Sequence, residues 1–276
     1  MNYQDLLSGI SRYGSTMQDI CKHTIGVDSE KINEDVIVAP WWEPSVLPGL
    51  GKAEYLCESE FASIKVWNIE TKNKNITYIK TGIGAPVLMD IVLTLGITSC
   101  KKVVFIGSVG SLDDNIKIGD IVLPEYSICG DGASRYISNV RLKDSDVFGE
   151  KAYPDEEAFQ SIKHIITNIC RDNNINWHIG RNFSIDTIFA QFIHLDEIIG
   201  MGCNVIEMET AAAFRAAYIA NISIVALFSV SDNTVKNKSL LSGRTSKEME
   251  YRKFVRKEVF PQIILEYFEQ DYASLR

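Results

Sequence analysis

A chain of 276 residues, 46% of them hydrophobic, can bury a large core in one domain or in two small ones. Its net charge of -8 and pI near 5.1 exclude nucleic-acid binding as the main business, because neutralising phosphates needs clustered Lys and Arg. No apolar run approaches the roughly 18 residues that cross a bilayer, and MNYQDLLSGISRYG lacks the basic and apolar regions of a secretory signal, so a cytoplasmic protein is expected.

The first two dozen residues pattern as one amphipathic helix. DVIVAP (Asp35 to Pro40) is the first strand, closed by proline, and WWEPSVLPGLGK reads as a loop from its Pro and Gly. ASIKVWNIE and ITYIKTG alternate apolar with polar residues around TKNKN, which predicts a hairpin. TGIGAP then suits a tight turn into an apolar helix, VLMDIVLTLGI, with backbone amides near Gly84 able to face an anion. KKVVFIGSVGSL is a buried strand running into a Gly/Ser loop. Gly107 and Gly110 permit close backbone approach there, and Ser108 adds a hydroxyl. IKIGDIVLPEYSI reads as a pair of strands with Gly119 and Asp120 between the halves, and DGASRYIS as a loop.

From Pro154 to Cys170 apolar residues recur at helical spacing (Phe159, Ile162, Ile165, Ile166, Ile169). WHIGRNFSID is a strand, and QFIHLDEIIGMG a helix stopped by glycines. Residues 204 to 235 form a strand, an Ala-rich helix and an apolar strand. Glu209 follows the first strand and Asp232 the second, where ligands collect in α/β sheets. From Ser246 to about Gln270 the tail is a long helix with one apolar face. Strands alternate with helices and no linker divides them, so the expectation is one three-layer α/β domain over residues 1–276. The six cysteines have no CxxC pair and the four histidines no HxH or HExxH spacing. Reduced thiols and no metal site are expected.

Acids and a phosphate-sized cradle therefore fall at strand ends, without the order of a Ser/His/Asp or Cys/His site. Four stretches make the pattern specific: GSVGSL (Gly107 to Leu112), DGASRYI (Asp131 to Ile137), NFSIDTIF (Asn182 to Phe189), and VIEMETAA (Val205 to Ala212) leading to SVSDN (Ser229 to Asn233). In order and spacing they resemble the nucleoside phosphorylase and nucleosidase superfamily, most of all its hexameric purine nucleoside and uridine phosphorylases. The resemblance implies an α/β/α fold with a mixed, partly barrel-like sheet. It also implies cleavage of a ribonucleoside, purine favoured, through an oxocarbenium-like transition state.

In that likeness Asp232 protonates the leaving base, with Arg244 assisting. Glu209 holds the ribose hydroxyls, Met208 packs on the sugar, and Phe183 stacks on the base beside Ser231. His23 reaches the 5′-hydroxyl in a neighbouring subunit, which implies a homo-oligomer, either a dimer or a hexamer built as a trimer of dimers. Gly84, Gly107, Ser108 and Arg135 face phosphate or water. No cofactor is implied beyond phosphate as co-substrate, and no nucleic-acid or membrane partner.

One departure stands out. The family's phosphate-binding arginines belong in the loop after the first strand and just before the Gly-Ser loop. Here those places hold APWWEPSVLPG and Phe105. Neither Trp nor Phe replaces the bidentate guanidinium. Three readings stay open. Phosphate is held by other groups (Arg135, Lys52 or a neighbour's side chain); water is the nucleophile and the chain is a nucleosidase; or the site binds a nucleoside without turnover, as a sensor or storage protein.

Overall fold

The computed structural model describes residues 1–60, 62–138 and 141–270. Helices α1 (Tyr3–Arg12) and α2 (Met17–Thr24) lead into strand β1 (Asp35–Ala39). The edge strand β2 (Lys52–Glu58) precedes the hairpin β3 (Lys65–Glu70) and β4 (Asn75–Lys80), helix α3 (Ala85–Leu95), and the long strands β5 (Lys102–Ser111) and β6 (Ile121–Gly130). Then come β7 (Lys151–Ala152), α4 (Glu156–Asn173), β8 (Trp177–Ile185), α5 (Leu195–Gly200), β9 (Val205–Glu207), α6 (Thr210–Ala220) and β10 (Ser223–Asn233). Helix α7 (Ser246–Phe254) runs through a π turn (Val255–Val259) into α8 (Phe260–Glu269). No helix among the described residues is long and apolar enough to cross a membrane.

The architecture is mixed α/β in three layers. One apolar core joins the sheet to α2, α3 and α6, and a second joins its other face to α4 and α8. The sheet closes on itself: β5 pairs with β10, β10 with β6, β6 with β8, β8 with β9, and β9 with β5, a five-stranded mixed barrel. An open wing, β1-β4-β3-β2, continues from β5. β5 is therefore shared. On one edge Lys102–Phe105 pair with β1 and Gly110–Ser111 with β9. Between these pairings residues 106–109 have no strand on that edge among the described residues, so the sheet splits there and leaves a crevice.

Several elements differ from their sequence expectations. The N-terminal helix is two helices, because Thr16 starts a second one with a capping box to Asp19. β2 carries no apolar alternation, since it is an exposed edge strand with one antiparallel neighbour, β3. Only one strand, β6, forms in IKIGDIVLPEYSI. The residues before it turn at Gly119, whose φ of +96° suits glycine. DGASRYIS holds a 3-10 turn (Ala133–Ile137), and the QFIH segment is likewise 3-10 before the short α5. β9 and β10 are not a parallel βαβ pair: β9 runs antiparallel to β5 and β10 parallel to it, which barrel closure requires. β10 also extends past Asp232, placing that carboxylate inside the strand, at a register shift opposite Gly110. The tail helix carries a π turn just before Pro261, which lacks the N–H a regular helix uses there.

Candidate active site

At the split beside β5 lies a cavity of about 550 Å³. Its wall includes Gly107, Ser108 and Gly110 of β5, Ile206 and Glu207 of β9 with Met208 and Glu209 just after it, Ser231 and Asp232 of β10, and Trp41 and Trp42 just after β1. Ile185, Ile188, Phe228 and Leu240 add apolar surface. The two acids singled out from the sequence thus meet in one cavity.

Each is positioned by its local structure. Met208 and Glu209 sit where β9 stops and α6 begins. The first amides of α6 need acceptors. Glu207 supplies one carboxylate oxygen to the backbone N–H of Glu209 (2.7 Å) and of Thr210 (2.8 Å). Its other oxygen accepts from Asn182 Nδ2 (2.6 Å) and Ser184 Oγ (2.7 Å), and Ser184 Oγ in turn accepts from Ala211 N (2.9 Å). Glu207 is thus a buried cap with four donors, and it fixes the turn that aims Glu209. The carboxylate of Glu209 accepts from Gly84 N at 2.7 Å, so Gly84 reaches the site through Glu209.

Burial pushes the carboxyl of Glu209 up to about 8, and the neighbouring charge of Glu207 pushes the same way, while the Gly84 N–H opposes both. Burial also raises Glu207, against its hydrogen bonds from Ser184, Glu209 and Asn182. A raised carboxyl pKa means that the folded chain holds a proton the unfolded chain has released. Stability contributed by this group is therefore lost as pH rises from about 4.5 through about 8. Glu209→Gln, which keeps an acceptor for Gly84, is expected to stabilise the fold by about 2–4 kcal/mol at pH 8.5 and by under about 1 kcal/mol at pH 5. Urea unfolding at the two pH values measures the difference. An equal effect at both would mean that Glu209 is ionised throughout.

Asp232 lies over Gly110. A Cβ at Gly110 would stand 3.1 Å from Asp232 Oδ2 and 3.2 Å from Ile206 Cγ2, so glycine is what lets the carboxyl lie against the strand. Ser231 Oγ bonds to the Asp232 carboxyl and lies 3.1 Å from Val109 O. Burial raises the Asp232 pKa; the Ser231 hydroxyl and the charges of Arg244 and Arg252 hold it down. The guanidinium of Arg244 donates to Ser231 O and faces the cavity.

The site contains groups that were not singled out from the sequence. Arg252 and Arg256 reach the cavity from the tail helix. Arg252 Nη2 lies 3.4 Å from Ser108 Oγ, and the Arg256 guanidinium sits 5.6 Å from the centre of the Trp42 ring. The sequence signal was their spacing, i and i+4, which puts two arginines on one face of a helix. Trp42 is buried against Phe260, and Trp41, 69% exposed, stands at the wall beside it.

Four expected site residues do not line this cavity: Gly84, which reaches it only through Glu209, and Phe183, Arg135 and His23. The Phe183 ring is buried in an apolar cluster with Ile128, Ile206 and Ile198 of α5, edge-on to Phe148, and it lies over Gly130 of the adjacent strand, where a Cβ would fall 2.2 Å from the ring. Arg135 is exposed on the 3-10 turn and donates to Ser145 O at 2.9 Å. His23 is exposed on α2. Lys52, the other cation considered for phosphate, is exposed at the start of β2.

Comparison with known proteins finds a match to the family model of the phosphorylase superfamily over residues 48–258. Among curated proteins, a DeoD-type purine nucleoside phosphorylase of Streptococcus uberis is 24% identical over 183 residues, 64% of this chain and 71% of that protein. One from Buchnera aphidicola is 25% identical over 177 residues, 62% of this chain and 69% of that protein. Among solved structures, a uridine phosphorylase from Vibrio fischeri superposes with a TM-score of 0.70 at 20% identity, covering 88% of this chain and 96% of that one. A purine nucleoside phosphorylase from Toxoplasma gondii in complex with immucillin-H superposes at 0.69 and 17% identity, covering 89% and 96%. At these identities the structural likeness concerns the fold.

Proposed function

Because the chain belongs to the phosphorylase superfamily, we propose that it cleaves the N-glycosidic bond of a purine ribonucleoside, with phosphate as the acceptor. The observation that carries this reading is that Asp232 of β10 and Glu209 at the start of α6 line one cavity. Burial raises both pKa values there, so one carboxyl can give a proton and the other can titrate as the ligand enters. The DeoD-type relatives support the purine side of the choice.

The bond from C1′ to the base nitrogen breaks, and its electron pair stays on the purine. The Asp232 carboxyl transfers its proton to a ring nitrogen of the departing base. A phosphate oxygen forms the new bond to C1′, giving free base and ribose 1-phosphate. Asp232 is left as a carboxylate in the field of Arg244 and Arg252, which stabilise it. Glu209, protonated below about pH 8 before the nucleoside enters, accepts from the ribose hydroxyls and, once it has released its proton to solvent, steadies the sugar as positive charge grows on it. The apolar wall of Ile185, Ile206 and Leu240 takes the role first assigned to Phe183 and keeps Asp232 dry enough to hold its proton. In this reading His23 acts only by reaching the site of a neighbouring copy, within the homo-oligomer expected from the sequence.

Incubation with inosine, adenosine, uridine and 5′-methylthioadenosine, each with and without phosphate, is expected to release base from the purine nucleosides only when phosphate is present. Equal release without phosphate would make the enzyme a nucleosidase. Binding without release would make the chain a nucleoside-binding protein.

A further inference from the structure

We propose that the oxyanion co-substrate is held by Arg252 and Arg256 of the tail helix together with Ser108 of β5. This seat stands on a different element from the strand-end loops where the resemblance implies arginines. The inference rests on the glycosidic reading of the cavity and assigns its second ligand.

Arg252 Nη2 lies 3.4 Å from Ser108 Oγ, and Arg252 Nε is buried without a hydrogen-bond partner. Arg256 lies one helical turn on; its Nε donates to Arg252 O at 3.2 Å and its cation faces the Trp42 ring. Among the described residues, neither is in an ion pair with a carboxylate. Arg244 adds a third cation to the same wall. Burial and the charges of Arg256 and Arg244 push the Arg252 pKa down to about 10, and Asp232 only partly opposes them. Crowded guanidinium groups with a spare buried N–H are matched by a tetrahedral dianion, which accepts from two forks and a hydroxyl at once.

The position also suits the reaction. Ser108 stands two residues before Gly110 on β5, and Asp232 lies over Gly110. An anion at Ser108 and a base at Asp232 would then lie along one strand, with the sugar carbon between them.

Tyr251 anchors the helix that carries the seat. Its ring packs so closely on Gly119 that a Cβ there would fall 2.3 Å from Tyr251 Cδ1, and its hydroxyl lies 3.4 Å from Asp120 Oδ1. His178 Nε2 holds the other oxygen of Asp120 at 2.8 Å. The seat therefore exists only while the tail helix is docked, and a bound oxyanion must favour docking.

The test uses the full-length chain and inorganic phosphate, read both by thermal shift without nucleoside and by steady-state kinetics. In R252Q/R256Q, the phosphate concentration giving half the thermal shift and the KM for phosphate are expected to rise at least about 100-fold. The nucleoside KM should stay within about threefold. R252K keeps the charge but loses the fork, and a rise of about 10-fold is expected. K253Q, on the exposed side of the same helix, should change neither phosphate value. If phosphate binding to R252Q/R256Q stays within twofold of the unmodified protein, the seat is wrong and the glycosidic reading survives. If phosphate binds through these arginines but no nucleoside is cleaved, the seat stands and the glycosidic reading fails.

Discussion

Asp232→Asn is expected to slow base release by about 10²–10⁴-fold, the usual contribution of a positioned general acid. Asn has nearly the shape of Asp and can still accept from Ser231, so the fold and the cavity should be kept. What it lacks is a transferable proton. The loss should therefore fall on kcat, with the nucleoside KM changed only a few-fold, because the interaction exists mainly in the transition state. The chemistry offers an internal control. A purine nucleoside alkylated at N7 already carries positive charge on its base, and that base leaves without protonation. Asp232→Asn should cleave such a substrate at close to the unmodified rate. Equal losses on inosine and on its N7-methyl counterpart would remove Asp232 from the role of acid and make it a binding or structural group.

The second large effect concerns a residue that touches no reacting atom in the proposed mechanism. Glu207→Ala should destabilise the fold by about 3–5 kcal/mol. The carboxylate is the shared acceptor for Asn182, Ser184 and the amides of Glu209 and Thr210, all of them buried. Removing it leaves those donors without a partner, and it removes a negative charge from the start of α6. Glu207→Gln keeps one acceptor oxygen but turns an N–H₂ toward other donors, so an intermediate loss is expected. Glu207→Gln also carries a second signature. With the charge beside it gone, Glu209 should titrate below about 8, and the pH dependence of stability should move down with it. Urea unfolding across pH measures both. A loss under about 1 kcal/mol for Glu207→Ala would show that water replaces the carboxylate at little cost.

Much of this could be read from the chain alone. The buried strands β5 and β10, the Ala-rich α6, the β3–β4 hairpin and the helix α4 all announced themselves by apolar runs or periodicity, because each buries a face whose spacing is set by its own backbone geometry. The acids Glu209 and Asp232 could be found for a related reason. Each follows or ends a strand, and a short motif fixes its distance from that strand.

Other features needed the folded chain. Barrel closure brings β9 antiparallel against β5 and β10 parallel to it, and no local pattern encodes which strands meet across the sequence. Phe183 stands in a motif, yet its ring lies over Gly130 in an apolar cluster instead of lining the cavity. Arg252 and Arg256 belong to the tail helix, whose sequence pattern shows one apolar face and no site. They line the cavity only because Tyr251 docks that helix on Gly119, more than a hundred residues away in sequence.

The sequence by itself thus determined the main buried strands and helices, the family likeness and the two carboxylates, since periodicity and short motifs are local properties of the chain. Tertiary structure decided where the positive charge lies. A guanidinium at the end of a long side chain takes its role from the surfaces that helix packing brings around it, and that packing joins segments far apart in the sequence.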